Sequence, residues 1–113
     1  GSIIAYANEV KTKELGISDA LLSERGAVSR EVAERMAEQV RKRMQTDYGI
    51  ATTGIAGPDG GSDEKPVGTV WIAVSGPKTS DCRTFRFGRN RKHNIHRSSL
   101  AALNMLRLLI MNS

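Results

Sequence analysis

Apolar residues recur at spacings that change along the chain, and the changes mark its elements. Positions 3–6 form a short apolar run and predict a strand or its end. Asn8 can cap a short helix over 9–15 that Gly16 closes, and Ser18 a second over 19–25 that Gly26 closes. Leu21 and Leu22, with Leu15 and Ile17, then make a small apolar cluster. Ser29 is a good N-cap for a longer helix reaching about Met44, with Glu31 in its first turn and Arg41, Lys42 and Arg43 in its last, matching the helix dipole. Val32, Met36, Val40 and Met44 recur every fourth residue beside Ala33 and Ala37, the pattern of an amphipathic helix lying on a core. Period-two segments follow. Residues 48–53 read as a strand. Residues 69–75 read as another, with Val70, Ile72 and Val74 on one side and Trp71 and Ala73 on the other. Both sides are apolar, which predicts a central strand covered on both faces. Phe85 and Phe87 alternate with Thr84 and Arg86 in a half-exposed third strand. A last helix is predicted over about 93–111, with Ile95, Ala102, Leu103, Leu106, Leu109 and Ile110 inward. Strands among helices argue an α/β layered domain.

The segment 54–67 has no periodicity, and such long structureless stretches in compact domains are usually functional or disordered. It follows a strand directly, where α/β sheets place ligand sites. Its glycines let backbone approach a ligand, but it closes with no Gly-Lys-Ser/Thr and lacks the dinucleotide fingerprint. Asp59, Asp63 and Glu64 would repel phosphate in its later half, leaving Thr52, Thr53 and the first glycines as the useful part.

Composition narrows the class. The 113 residues are 39% apolar and 26% charged, which suits one globular domain and neither a disordered chain nor a membrane protein. Cys82 stands alone, so neither an internal disulfide nor a cysteine-rich metal site is available. His93 and His96 lack a third ligand nearby, and no metal or other cofactor is expected. Neither a signal peptide nor a spanning segment is legible, and a reducing cytoplasm is the expected compartment.

The net charge of +5 is concentrated. Residues 83–97 hold Arg83, Arg86, Arg89, Arg91, Lys92 and Arg97 with no acid, whereas the remainder carries 11 bases and 12 acids. A nucleic-acid-coating protein spreads its bases over a face, and five aromatics leave little for stacking bases. One cluster before a helix N-terminus suits a small anion instead. On residue types alone Lys11 reads as a solvated helix lysine, Thr52 and Thr53 as ordinary strand threonines, and Cys82 as a structural or surface thiol. No nucleophile motif is evident.

The combination is more specific than its parts. Ala5-Tyr6-Ala7-Asn8-Glu9-Val10-Lys11, Gly26-Ala27-Val28-Ser29, Ala33-x-x-Met36-Ala37, the run Thr53-Gly-Ile-Ala-Gly-Pro-Asp-Gly-Gly, Glu64-Lys-Pro-Val-Gly-Thr-Val-Trp-Ile-Ala-Val74 and the Phe-Gly-Arg-Asn-Arg91 turn together resemble the CinA C-terminal domain over essentially the whole chain. The resemblance implies a three-layer α/β/α sandwich with a mixed sheet. It also implies a nicotinamide-nucleotide amidase, which hydrolyses the carboxamide of nicotinamide mononucleotide to nicotinate mononucleotide and ammonia. On this resemblance Lys11 matches the lysine of the family's Ser/Lys pair, the general base. Tyr6 matches the tyrosine beside it, and Thr53 the threonine that begins the glycine loop, with Gly54, Ala56 and Gly57 as its substrate-binding backbone. Arg91 matches the arginine expected at the phosphate, with Arg89 as a competing alignment. The expected partners are a small-molecule nucleotide and a second copy in a homo-oligomer, a dimer, with no membrane and with nucleic acid ranked below both. The family's nucleophilic serine sits in a Glu-Ser-Cys-Thr-Gly-Gly motif that this sequence lacks. The departure implies that residues 1–113 are the family domain without its first strand and helix, with a non-catalytic nucleotide-binding homologue as the alternative and a nucleic-acid binder using residues 83–97 ranked last.

Overall fold

The computed structural model describes residues 16–26, 28–55 and 66–112. The elements in order are α1 (Asp19–Arg25), α2 (Arg30–Arg43), β1 (Gly49–Gly54), β2 (Thr69–Ser75), β3 (Ser80–Arg86) and α3 (Arg91–Met111). The strand and helix expected over 3–6 and 9–15 lie outside the described residues.

Each helix begins where a side chain takes up an orphan backbone donor. Ser18 Oγ accepts from Leu21 N at 3.1 Å, and Ser29 Oγ accepts from Val32 N at 3.3 Å while donating to Gly26 O at 2.9 Å. Asn90 Oδ1 accepts from His93 N at 3.0 Å. That last cap moves the start of α3 to Arg91, two residues earlier than the apolar pattern predicts. Arg91 and Lys92 therefore form the first turn of the helix rather than the connection before it.

The strands form one sheet in the order β1-β2-β3, antiparallel throughout the described residues. A mixed sheet is expected from the resemblance; no parallel pair occurs among the described residues. β2 is central, as its two apolar sides predict. β3 begins at Ser80, ahead of its first apolar alternation, because its early residues pair in register with Ser75, Val74 and Ala73. Side chains of β2 alternate between two cores. On one face, Ala51, Ala73 and Cys82 pack under α2 and α1 through Val32, Ala33, Met36, Ala37, Leu22 and the fully buried Ile17. On the other, Val70, Ile72 and Val74 pack under α3 through Ala102, Met105 and Leu109. The result is the expected three-layer α/β/α sandwich. Among the described residues no helix is long and apolar enough to cross a membrane.

The inward side of α3 departs from the expectation. Ala102 and Leu109 are buried as predicted and Leu106 is half-buried, but Ile95, Leu103 and Ile110 are 51%, 60% and 47% exposed. Asn94 and Met105 take the buried positions instead. Apolar residues occupy most of the circumference of this helix, so periodicity does not define one inward stripe. Its rotation is set by Asn94, whose Nδ2 donates to Gly88 O at 2.7 Å. A hydrogen bond of this kind is needed before an amide can be buried at 1% exposure.

Candidate functional site

The end of β1, the start of β2 and the end of β3 meet at one end of the sheet. Ile55 N donates to Thr69 O at 2.9 Å, and Gly68 N donates to Ile55 O at 2.6 Å. Phe87 N donates to Gly68 O at 2.9 Å. The chain then turns through Gly88, Arg89 and Asn90 into α3. Thr53 and Gly54, where the glycine-rich segment begins, thus share one end of the molecule with Arg89 and Arg91.

Alternation divides the two strand-end threonines. Thr53 faces the α2 layer, lies opposite Trp71 in register and is 9% exposed. Thr52 and Gly54 face the α3 layer. There a cleft of about 220 Å³ opens between the sheet and the first turns of α3, lined by Thr52, Gly54, Val70, Asn94, Ile95, Ser98 and Ser99. Arg91, Asn94, Ile95, Ser98 and Ser99 are spaced i, i+3, i+4, i+7 and i+8, one face of a helix. Arg91 therefore stands on the helix face that walls the cleft, one turn before it. Ser98 Oγ donates to Asn94 O at 2.7 Å and Ser99 Oγ to Ile95 O at 3.1 Å. These bonds use each hydroxyl's proton and leave its lone pairs as acceptors on the cleft wall.

The sequence candidates that fall among the described residues can now be located. Gly54 lines the cleft, but its lack of a side chain also has a packing cause. A Cβ there would stand 2.8 Å from both Thr69 O and Val70 Cγ2. Thr53 is on the opposite sheet face from the cleft, so Thr53 and Gly54 do not act on one surface. Arg89 and Arg91 are exposed, and α3 has no acid in its first turn. Cations at this position oppose the helix dipole, a cost of a few tenths of a kcal/mol each that an anion would offset. Tyr6, Lys11, Ala56 and Gly57 lie outside the described residues. Thr52, named in the sequence with Thr53 beside the first glycines, lines the cleft; Asn94, Ser98 and Ser99 are not identified by residue type, and the spacing of these polar residues on one helix face after Arg91 is the available signal. Among the described residues no group of three His, Cys, Asp or Glu side chains could hold a metal ion. Cys82 is a buried structural thiol: burial, with the negative charge of Glu34 second, pushes its pKa up to about 11.

Comparison with known proteins agrees with the motifs. The family model of the CinA C-terminal domain matches residues 1–110. A CinA-like protein of Gemmatimonas aurantiaca is 52% identical over 109 residues, covering 95% of this chain and 25% of that protein. The chain therefore spans about a quarter of the length of such curated relatives. Among solved structures, the competence/damage inducible protein CihA of Agrobacterium tumefaciens superposes with a TM-score of 0.91 at 37% identity, covering 93% of this chain and 65% of that one. A competence-damaged protein (CinA) superfamily protein of Escherichia coli gives 0.86 at 33% identity, covering 92% and 60%. A match over nearly all of the sequence, together with the same fold at this level of superposition, means that the chain belongs to the CinA C-terminal domain family.

Proposed function

We propose that this chain forms the nucleotide-binding and base-supplying part of an amidohydrolase that converts nicotinamide mononucleotide to nicotinate mononucleotide and ammonia. The observation that carries the proposal is the meeting of the Thr53–Gly54 strand end with the Arg89–Arg91 turn at one end of the sheet, beside a cleft of about 220 Å³ whose mainly apolar wall, with Val70 and Ile95, carries the polar groups of Thr52, Asn94, Ser98 and Ser99. Family membership supports the chemistry. Neutral Lys11 takes the proton of a serine supplied by the family's Glu-Ser-Cys-Thr-Gly-Gly segment, and the alkoxide attacks the carboxamide carbon. The protonated lysine returns that proton to the departing nitrogen, ammonia leaves, and water hydrolyses the acyl-enzyme to the carboxylate. The Ile55 N–H is already engaged by Thr69 O, so the oxyanion donors come from other backbone N–H groups of the glycine segment or the serine motif. Arg91, or Arg89 beside it, holds the phosphate by charge-assisted hydrogen bonds.

The test is ammonia release from nicotinamide mononucleotide by the full-length protein that carries this chain. Lys11→Met should lower turnover by about a thousandfold or more, while calorimetry shows the nucleotide still bound. Near-normal turnover in that variant overturns the assignment of Lys11. Nucleotide binding without any hydrolysis by the native full-length protein would instead favour a non-catalytic binding homologue, the reading left open by the absence of the serine motif from residues 1–113.

A further inference from the structure

Among the described residues, none that walls the cleft between the sheet and α3 is ionisable. The turn before the cleft is different. Arg89 and Arg91 are exposed there, and the first turn of α3 holds no acid. Along one face of the helix the surface therefore changes from cationic at Arg91 to neutral at Asn94, Ser98 and Ser99.

The hydrogen-bonding character changes with the charge. The Ser98 hydroxyl donates its proton to Asn94 O at 2.7 Å, and the Ser99 hydroxyl donates to Ile95 O at 3.1 Å. A hydroxyl has one proton, so both oxygens meet a ligand as acceptors. Asn94 is 1% exposed, and its Nδ2 is turned to Gly88 O at 2.7 Å. A dianionic phosphate only accepts, so it finds no donor on this helix face. A neutral group bearing O–H donors fits it, with Val70 and Ile95 as the apolar wall for the carbons that carry them. The cleft, about 220 Å³, is smaller than the ~300–1,000 Å³ of sites that enclose a whole drug-sized ligand. It suits one part of a mononucleotide. Arg91 and Ser98 are seven residues apart on one helix face, about 10 Å along the axis, a span that one sugar phosphate can bridge.

We infer that the cleft is the subsite for the ribose hydroxyls of the nucleotide, with Ser98 and Ser99 as the specificity-determining residues that accept from them. The identity of the base rests on the mononucleotide reading above; the sugar-phosphate subsite does not. The phosphate stays outside the cleft, at the Arg89–Arg91 turn, and the uncharged sugar enters it.

The test removes the contact from each side. The full-length protein that carries this chain and its Ser98→Ala/Ser99→Ala variant, which keeps a good helix former at both positions, are titrated by calorimetry. The ligands are nicotinamide mononucleotide, its 2′,3′-dideoxy form, ribose 5-phosphate and inorganic phosphate. The variant should bind the mononucleotide and ribose 5-phosphate about tenfold or more weaker than wild type. Wild type should lose a similar factor on the dideoxy form, and the variant should bind that form within about threefold of wild type, because the hydroxyls the serines accept from are already gone. Inorganic phosphate should keep its affinity. Equal affinity of the mononucleotide for wild type and variant, or of the two mononucleotides for wild type, overturns the inference and leaves the amidase reading standing. Equal weakening of every ligand, inorganic phosphate included, marks a structural effect and also overturns it. Serine-dependent binding of ribose 5-phosphate, without binding or hydrolysis of nicotinamide mononucleotide, supports the subsite and overturns the amidase reading. Binding of neither sugar phosphate to wild type overturns the inference.

Discussion

Cys82 shows how one side chain couples packing to pH. Its thiol is 7% exposed inside β3, where the neutral form is favoured because burial penalises the thiolate and Glu34 adds negative charge. The unfolded thiol loses its proton near the ordinary value of 9.0, the folded one near about 11. The stabilisation linked to the neutral thiol is therefore complete below pH 9.0 and is lost as pH rises through about 11. Urea melts between those limits should fall more steeply with pH for wild type than for Cys82→Ala, whatever the offset between the two proteins. Parallel slopes would show that the thiol does not titrate in this window. At pH 8 a thiol reagent should react slowly with the folded chain and rapidly once urea unfolds it. Residue type alone favoured a structural or surface thiol here. Choosing between the two required knowing that β3 starts at Ser80, and that start depends on pairing with β2 rather than on local alternation.

At the scale of elements, legibility followed the contrast between apolar and polar positions. α2 and β2 stand where the pattern puts them, because α2 has one apolar stripe and β2 two apolar sides. For α3 the pattern places Ala102, Leu106 and Leu109 inward, as found, but also Ile95, Leu103 and Ile110, which are exposed, because apolar residues surround the helix and the polar residue that sets its rotation, Asn94, carries no periodic signal. The junction before α3 depends likewise on a close approach that sequence does not display. Gly68 has φ of +92°, and a Cβ on it would collide with the carbonyl oxygens of Phe87 and Gly88. No residue with a side chain fits, since both the backbone angle and the space exclude it. Gly68→Ala should therefore destabilise the fold by about 2 kcal/mol or more, read from urea unfolding. It should also weaken the nucleotide binding proposed above, because Gly68 joins the β1 end to the Arg89–Arg91 turn. A variant as stable as wild type would mean that this turn can move away from the sheet end at little cost.

The whole molecule presents two unlike surfaces on α3. Its inner side closes the second core, while Leu100, Leu103 and Met111 are 56%, 60% and 67% exposed, with Ile110 at 47%. Leu100, Leu103 and Ile110 recur at spacings of three and seven, so they lie near one another along the outer side of the helix rather than scattered. Scattered apolar residues are ordinary on a protein surface, whereas a contiguous patch of large ones marks a contact surface. The superposed Agrobacterium chain has more residues than this one, which covers 65% of it, and the proposed dimer would equally use such a surface. The two roles of the helix separate in one substitution. Leu103→Lys removes a large apolar group from the outer side without touching Ala102, Met105 or Leu109. Its unfolding free energy in urea should stay within about 0.5 kcal/mol of wild type, while binding of an apolar dye and concentration-dependent self-association both fall. If the variant instead unfolds with a loss of about 2 kcal/mol or more, comparable to a core truncation, then Leu103 is a core residue and the rotation of α3 set by Asn94 is wrong.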